Sequence, residues 1–252
     1  MEIRYSKFHR WYKPVIENPT ELFGTKIQKR VLSSLARIDQ TDTISYTIEP
    51  LDEDYINWFT PLYEAMLSEK DRAVVYDVYA STIGNEDSKS EYWGLTLFEG
   101  DQRIGGTIFG VREEKIMTVY KTYNYSWNQE TLQAGPTIMA EYYLCKYAFE
   151  IGKNQISHGK DRNPYGVNAA IGLATFKLSL GYRANILASS EDYVVETANT
   201  DSFKQDTLIL NFPKDGQEIT KATLVTTNET KNKYAQLLSY SELLAIDVVG
   251  LD

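Results

Sequence analysis

Residues 92–123 compress three strand-like runs into one stretch, and the turns between them leave a single way to pair. Glu99-Gly100-Asp101 separates the run 92–98 from 103–111, and a short turn through Glu113 and Glu114 separates that run from 115–123. A parallel neighbour needs a crossover of roughly a dozen residues, whereas a hairpin closes in about two to five. The three runs therefore predict an antiparallel meander.

Beyond Tyr123 the periodicity changes. A polar stretch over residues 124–133 leads through Ala134-Gly135-Pro136 into Ile138, Met139, Tyr142, Cys145, Ala148, Phe149 and Ile151 at three-and-four spacing. That spacing predicts a helix, closed by Gly152 at the C′ position, where a left-handed backbone suits glycine. Residues 154–158 predict a short strand, 159–168 a loop, 169–180 a second helix ended by Gly181, and 182–188 a further strand. Strands joined through helices favour parallel pairing with right-handed crossovers. The expected class is α/β (α+β), a mixed central sheet with an antiparallel N-terminal meander and a βαβαβ C-terminal half.

Upstream, Asn18 as N-cap, Pro19 at the first helical position and Glu21 in the first turn predict a helix with Leu22, Ile27, Val31, Leu35 and Ile38 along one stripe. Residues 44–49 read as a strand and 52–67 as a helix with Tyr55, Phe59, Leu62, Tyr63 and Met66 on one face; 73–83 fits helix or strand equally. The tail predicts strands at 207–212 and 222–227 and a closing helix near 233–244. The expected organisation is an N-terminal region 1–90, a core 91–212 and an extension 213–252.

Composition excludes several classes. No run approaches the roughly 18 apolar residues of a membrane span, and the first 14 residues lack the apolar stretch of a signal peptide. A single cysteine, Cys145, rules out an internal disulfide framework and makes the cytoplasm the expected compartment. With two histidines, His9 and His158, and no D-x-D-x-D-G run, no metal dependence is expected. The net charge is −9, yet residues 1–40 carry eight Lys/Arg against four Asp/Glu. The acidic remainder disfavours general nucleic-acid binding, while the basic stretch either touches an anionic partner or folds back on the acidic body.

The segments 140–159 and 172–182 carry a resemblance. A helix ends Ala148-Phe149-Glu150-Ile151-Gly152, a strand ends in Gly159, and Gly172-Leu173-Ala174-Thr175-Phe176-Lys177 runs on to Gly181-Tyr182. This resembles the GNAT-like N-acyltransferases, in the subgroup related to Fem-type aminoacyltransferases, over about 90 residues from the third meander strand to Ala188. The resemblance implies a GNAT-like fold and an acyltransferase that moves an acyl group from a thioester donor, acyl-CoA or an acyl carrier, to an amine. The implied acceptor is a small molecule or a peptide; a second copy of the chain is a further partner if residues 1–90 form an interface. Two other readings stand beside it: a non-catalytic acyl- or peptide-binding module on the same fold, and an aminoacyl-tRNA-dependent transferase.

The resemblance also implies site residues. A helix start after a glycine gathers unpaired N–H groups and suits a pyrophosphate, which places Gln133, Ala134, Gly135 and Thr137 at the donor; plain helix initiation explains the same residues. The family's pyrophosphate loop is richer in glycine, and here one glycine precedes a proline. Asn168 and Lys177 are further candidates for the donor, Lys177 as the partner of a phosphate or simply a surface lysine. Tyr165 is the candidate acid for the leaving thiolate, from a loop that also reads as a solvated Asn-Pro-Tyr-Gly turn. His158 is the candidate base, its ordinary pKa lying near neutrality, or else a packed strand histidine. Tyr120, Lys121, Tyr123 and Arg162 are candidates for the acceptor cleft, and Glu141 reads as structural. The absence of G-x-S-x-G agrees with direct transfer without a covalent enzyme intermediate.

Overall fold

A computed structural model describes residues 1–69, 74–123, 130, 132–187, 195–227 and 230–250. In chain order the first elements are β1 (Glu2–Ser6), β2 (Phe8–Pro14), α1 (Thr25–Thr41), β3 (Ile44–Pro50), α2 (Glu53–Ser68), β4 (Glu91–Glu99), β5 (Gln102–Val111) and β6 (Lys115–Tyr123). There follow α3 (Pro136–Glu150), β7 (Gln155–Arg162), α4 (Ile171–Ser179), β8 (Arg183–Ile186), β9 (Val195–Asn199) and β10 (Thr207–Leu210). The chain closes with β11 (Glu218–Ile219), β12 (Lys221–Thr226), α5 (Ala235–Leu238) and β13 (Ala245–Gly250). Two compact units result: Pro14–Ser157, and Met1–Lys13 with His158–Asp252. They are called here the meander unit and the terminal unit.

In the meander unit β4, β5 and β6 form the expected antiparallel meander, and β3 pairs antiparallel with β4. β6 also pairs in parallel with the first residues of β7, so the sheet is mixed as expected. Helix α2 begins where the Asp52 side chain accepts the Tyr55 amide at 2.8 Å. Its buried stripe, Tyr55, Ile56, Phe59 and Tyr63, packs with Ile108 of β5 and Tyr120 of β6. Glycines make that approach close enough: a Cβ on Gly106 would stand 2.6 Å from the Tyr55 hydroxyl and 3.0 Å from the Trp58 ring. The cap expected at Asn18 is present, but it serves a 3₁₀ turn, Pro19–Leu22, and α1 starts separately after Gly24. Helix α3 ends as expected at Gly152, with φ +67°. Lys153 N donates to the Ala148 carbonyl and Gly152 N to that of Phe149, a Schellman motif that satisfies the last carbonyls.

In the terminal unit the strand order is β11-β8-β2-β7. β2 runs antiparallel to β8, with Arg10 opposite Asn185 and Tyr12 opposite Arg183. Strand β1 pairs with β9, and β10-β12-β13 form a small sheet with a parallel β12–β13 pair. Gly181 closes α4 as Gly152 closes α3, at φ +81°. After β7, Asn163 ties the turn down: its Oδ1 accepts Leu210 N, and its Nδ2 donates to the Ser6 and Leu210 carbonyls.

Several expectations are corrected. β7 runs on to Arg162, so the first four residues of the expected loop 159–168 are strand. The closing helix shortens to Ala235–Leu238 behind a 3₁₀ turn, Lys231–Tyr234, and the chain ends in strand β13. The stretch 78–84 forms turns rather than helix or strand. Ala73, residues 124–129 and 131 of the expected polar loop, and Ala188 lie outside the described residues.

Filling the space under α2 tests this packing. Gly106→Val should cost about 1–3 kcal/mol by overpacking, read as a lower urea midpoint. Gly159→Ala, where an added Cβ meets nothing within 4 Å, should stay within about 0.5 kcal/mol of the parent.

Candidate active site

β6 keeps β7 as a partner only at its start. Lys115, Ile116 and Met117 face Gln155, Ile156 and Ser157; from Thr118 onward β5 is its one strand partner among the described residues. Alternate peptide groups of a strand point to opposite edges. Among the described residues, no second strand ladder runs along the outer edge of residues 118–123. The pairing with β5 also slips here: Ile108 faces Tyr120 and Phe109 faces Thr118, so Val119 is an extra residue in a bulge. The Thr118 and Thr122 hydroxyls are buried without a partner among the described residues.

Charged and phenolic groups flank this edge. Lys121 Nζ donates to Glu141 Oε2 at 2.7 Å, and the Glu141 side chain is wholly buried while that of Lys121 retains 18% exposure. Tyr123 shares a 2.6 Å hydrogen bond with Thr107, and burial pushes its phenol far above the ordinary value. Tyr120 and Ser81 share one of 2.8 Å; burial raises Tyr120, with the Ser81 bond acting the other way.

The start of α3 offers little to a pyrophosphate. Ala134 N donates to Ser34 Oγ at 3.1 Å, Gly135 N to the Leu132 carbonyl at 3.0 Å, and Pro136 has no N–H. Three successive positions are thus spent or missing, and the helix keeps only the amides of Thr137 and Ile138 before its first internal bond at Met139. Gln133 is exposed and Thr137 half-buried. Among the described residues the helix start therefore offers an anion two backbone amides, those of Thr137 and Ile138.

The terminal unit holds a buried polar cluster. Asp161 Oδ2 accepts from Trp11 Nε1 at 3.0 Å, Tyr165 Oη at 2.8 Å and Lys177 Nζ at 2.6 Å. Trp11 Nε1 also reaches Tyr165 Oη at 2.9 Å, and His9 Nε2 lies 2.7 Å from the same oxygen. Tyr165 has a single proton and a carboxylate to receive it, so His9 Nε2 carries the hydrogen and donates to the phenol. That tautomer leaves His9 Nδ1 a buried acceptor with no partner among the described residues. Burial drives His9 down to about 3; Asp161 opposes the shift and Lys177 adds to it. Burial also pushes the Asp161 carboxyl up, but the charge and hydrogen bond of Lys177, with help from His9 and Tyr165, outweigh it and hold Asp161 below its ordinary value. Tyr165 is raised well above the ordinary phenol, by burial first and by Asp161 second.

Of the residues singled out in the sequence, Gln133, Ala134, Gly135, Thr137, Tyr120, Lys121 and Tyr123 belong to the meander unit. Tyr165, His158, Asn168, Lys177 and Arg162 belong to the terminal unit. His158 packs its ring 4.3 Å from that of Tyr182. Asn168 is exposed and donates to the Asn163 carbonyl. Tyr165 has no exposed surface, and it and Lys177 spend their hydrogen bonds on Asp161. Arg162 shares a different face: with Lys160 it brackets the Phe8 ring, Nζ of Lys160 lying 4.2 Å and Cζ of Arg162 5.7 Å from its centre. His9, Trp11 and Lys13 point to the buried side of β2, so Phe8, Arg10 and Tyr12 join Lys160, Arg162 and Arg183 on a basic, aromatic sheet face. Sequence reasoning missed His9, Trp11 and Asp161 as one cluster and Val119 as a bulge. The first could be sought in the alternation of polar and aromatic residues from Phe8 to Lys13; the second leaves no sequence signal.

Among the described residues no helix is long and apolar enough to cross a membrane, and no group of three or more His, Cys, Asp or Glu is placed to hold a metal. A meander whose last strand is bulged and then loses its parallel partner, followed by helix, strand and helix, is a GNAT-like fold. The chain is similar to FemX: the two superpose with a TM-score of 0.51 at 14% identity, over 71% of this chain and 59% of FemX. This chain thus spans about three fifths of the length of FemX. L-PGS from Bacillus licheniformis matches with a TM-score of 0.45 at 16% identity, over 75% of this chain and 63% of that one. A GCN5-related N-acetyltransferase from Anabaena variabilis matches with 0.37 at 9%, over 64% and 35%. No family profile matches the chain, and no curated protein matches it in sequence.

The neutral His9 has a consequence for stability. Its folded pKa of about 3 lies below the unfolded value of 6.5, so the unfolded chain binds a proton that the folded one refuses. The contribution is full above pH 6.5 and falls as the pH drops toward 3. Urea midpoints measured from pH 7 to 4 should fall more steeply in the parent than in His9→Gln, which keeps a donor toward Tyr165 and does not titrate.

Proposed function

We propose that the chain transfers an acyl or aminoacyl group from an activated carboxyl donor to an amine at the unpaired edge of β6. The observation that supports this reading is the strand itself: a bulge at Val119 and, among the described residues, no second strand ladder from Thr118 onward. A carbonyl laid against the edge would meet backbone N–H groups aimed at the oxygen on which negative charge develops. The amine nitrogen attacks the carbonyl carbon, the bond to the leaving sulfur or oxygen breaks, and the proton lost from nitrogen leaves with that group. Lys121 stands two residues past the bulge, its ammonium held by Glu141, and supplies a fixed positive charge beside the reacting atoms. Asp161 holds Lys177 and Tyr165 in place within the terminal unit; their part is to position the turn after β7.

The start of α3 offers coenzyme A few spare amides, which favours an acyl carrier or an aminoacyl-tRNA as donor.

The test is transfer followed by mass spectrometry, with short and long acyl-CoA, an acyl carrier protein and mixed aminoacyl-tRNA as donors and a panel of amines as acceptors. Carrier or tRNA donors should support product, and Val119→Pro, which removes the N–H of the bulged residue, should lower the rate about 100-fold or more with an unchanged circular dichroism spectrum. Saturable donor binding with no product from any pair would replace the enzyme with a binding module.

A further inference from the structure

A cleft of about 410 Å³ opens between the β5–β6 turn and the loop that leads from α3 into β7. Its lining is Arg112, Glu113, Glu114, Lys115, Asn154 and Gln155, with no apolar side chain among them. Hydrogen bonds to the backbone build its frame. Arg112 N donates to the Lys115 carbonyl at 2.9 Å and closes the turn, while Asn154 N donates to the Glu114 carbonyl at 2.9 Å. Lys153 Nζ donates to the Glu113 carbonyl at 3.0 Å, and Val15 N to that of Asn154, also at 3.0 Å. Turn and loop are thus fixed to each other with the cleft already formed. The Arg112 guanidinium is held at one end, where Nε donates to Ser90 Oγ at 2.8 Å. That bond orients the plane and leaves the two terminal nitrogens, a pair that matches the two oxygens of a carboxylate. Among the described residues no ion pair takes Arg112, Glu113 or Glu114.

Two cations and two carboxylates bring the lining to zero net charge. A simple anion here would meet Glu113 and Glu114, and a simple cation would meet Arg112 and Lys115. A ligand that carries both charges avoids either repulsion, because each of its ends finds the opposite sign. Without an apolar wall, a hydrocarbon ligand has no surface to bury. We infer that the cleft binds a small zwitterion, a free α-amino acid or a dipeptide. Arg112 receives its carboxylate, and Glu113 with Glu114 receives its ammonium. Asn154 and Gln155 offer amides to the polar groups between the two ends. Both glutamates are exposed, so the attraction is screened by salt and binding is weak. Lys115 pairs with Gln155 at the start of the parallel ladder, which ends at Met117. Thr118, where β6 has lost that partner, therefore lies about 10 Å further along the strand. The ligand braces the turn against the loop where the ladder begins, and it is not a reactant of the transfer proposed above.

NMR titration of the nitrogen-labelled chain, with no acyl donor present, tests this. Alanine and alanylalanine should shift the amide signals of residues 112–115 and 154–155 saturably, and the tighter of the two tells amino acid from dipeptide. N-acetylalanine lacks the ammonium and alaninamide the carboxylate, and each should bind about 10-fold more weakly. Arg112→Gln should weaken the better zwitterion about 10-fold and leave alaninamide unchanged. Glu113→Gln combined with Glu114→Gln should weaken it likewise and leave N-acetylalanine unchanged. Asp101→Asn, in the exposed turn between β4 and β5, should alter none of these affinities. Equal binding of the one-charge and two-charge compounds, shifts centred on other residues, or no saturable shift with any of them overturns the inference.

Discussion

A β-strand offers its backbone on two edges, and among the described residues β6 has a strand ladder on both for three residues only. Each buried peptide group left without a partner costs about 1–3 kcal/mol, so an unpaired edge is tolerated where it can be wet or filled. The meander places that edge. Hairpin turns fix β4, β5 and β6 side by side, α2 clamps one face through Tyr55, Phe59 and Tyr63, and α3 holds the other through the Lys121–Glu141 pair. Among the described residues, both faces are covered and β5 takes one edge, so a ligand would approach β6 along the other. The bulge at Val119 re-aims the backbone there without disturbing the pairs on either side of it.

The terminal unit solves a different problem. Asp161, Lys177, Tyr165, Trp11 and His9 are polar groups taken out of water together, and such a group is stable only when each charge has its counter-charge. One carboxylate oxygen receives three donors, and burial keeps His9 neutral, so the set holds one negative and one positive charge. The cost shows at His9 Nδ1, a buried acceptor left over once the phenol has taken the other ring nitrogen. Removing either charge would strand the other, which explains why a residue with the look of a surface lysine on α4 is 5% exposed.

How much of this was legible depended on whether the information was local. The meander was, because turn length alone decides between hairpin and crossover, and so were the ends of α3 and α4, because Gly152 and Gly181 occupy left-handed positions. β2 was not: its inward side chains are His9, Trp11 and Lys13, so the apolar alternation that marks a strand is replaced by a polar and aromatic one. The cluster at Asp161 was hidden for the same reason, since Trp11 and His9 reach it from about 150 residues upstream. Tyr120, Lys121 and Tyr123 could be placed on β6 from sequence, yet the bulge between Thr118 and Tyr120 arises from register with β5, which spacing along one strand does not encode.

The donor question turns on three backbone amides. A glycine before a helix looks like an anion site in any sequence, because the first turn of a helix always has N–H groups to spare. Here part of the surplus is spent: Ser34 of α1 takes the amide of Ala134, a turn takes that of Gly135, and Pro136 has none, which leaves Thr137 and Ile138. Ser34 is buried on the inner stripe of α1 beside Ile27 and Val31, so this hydrogen bond is part of how α1 meets α3. Freeing the amide for a phosphate would cost that contact. The hydrogen bond that joins α1 to α3 therefore takes one amide away from any anion at this helix start.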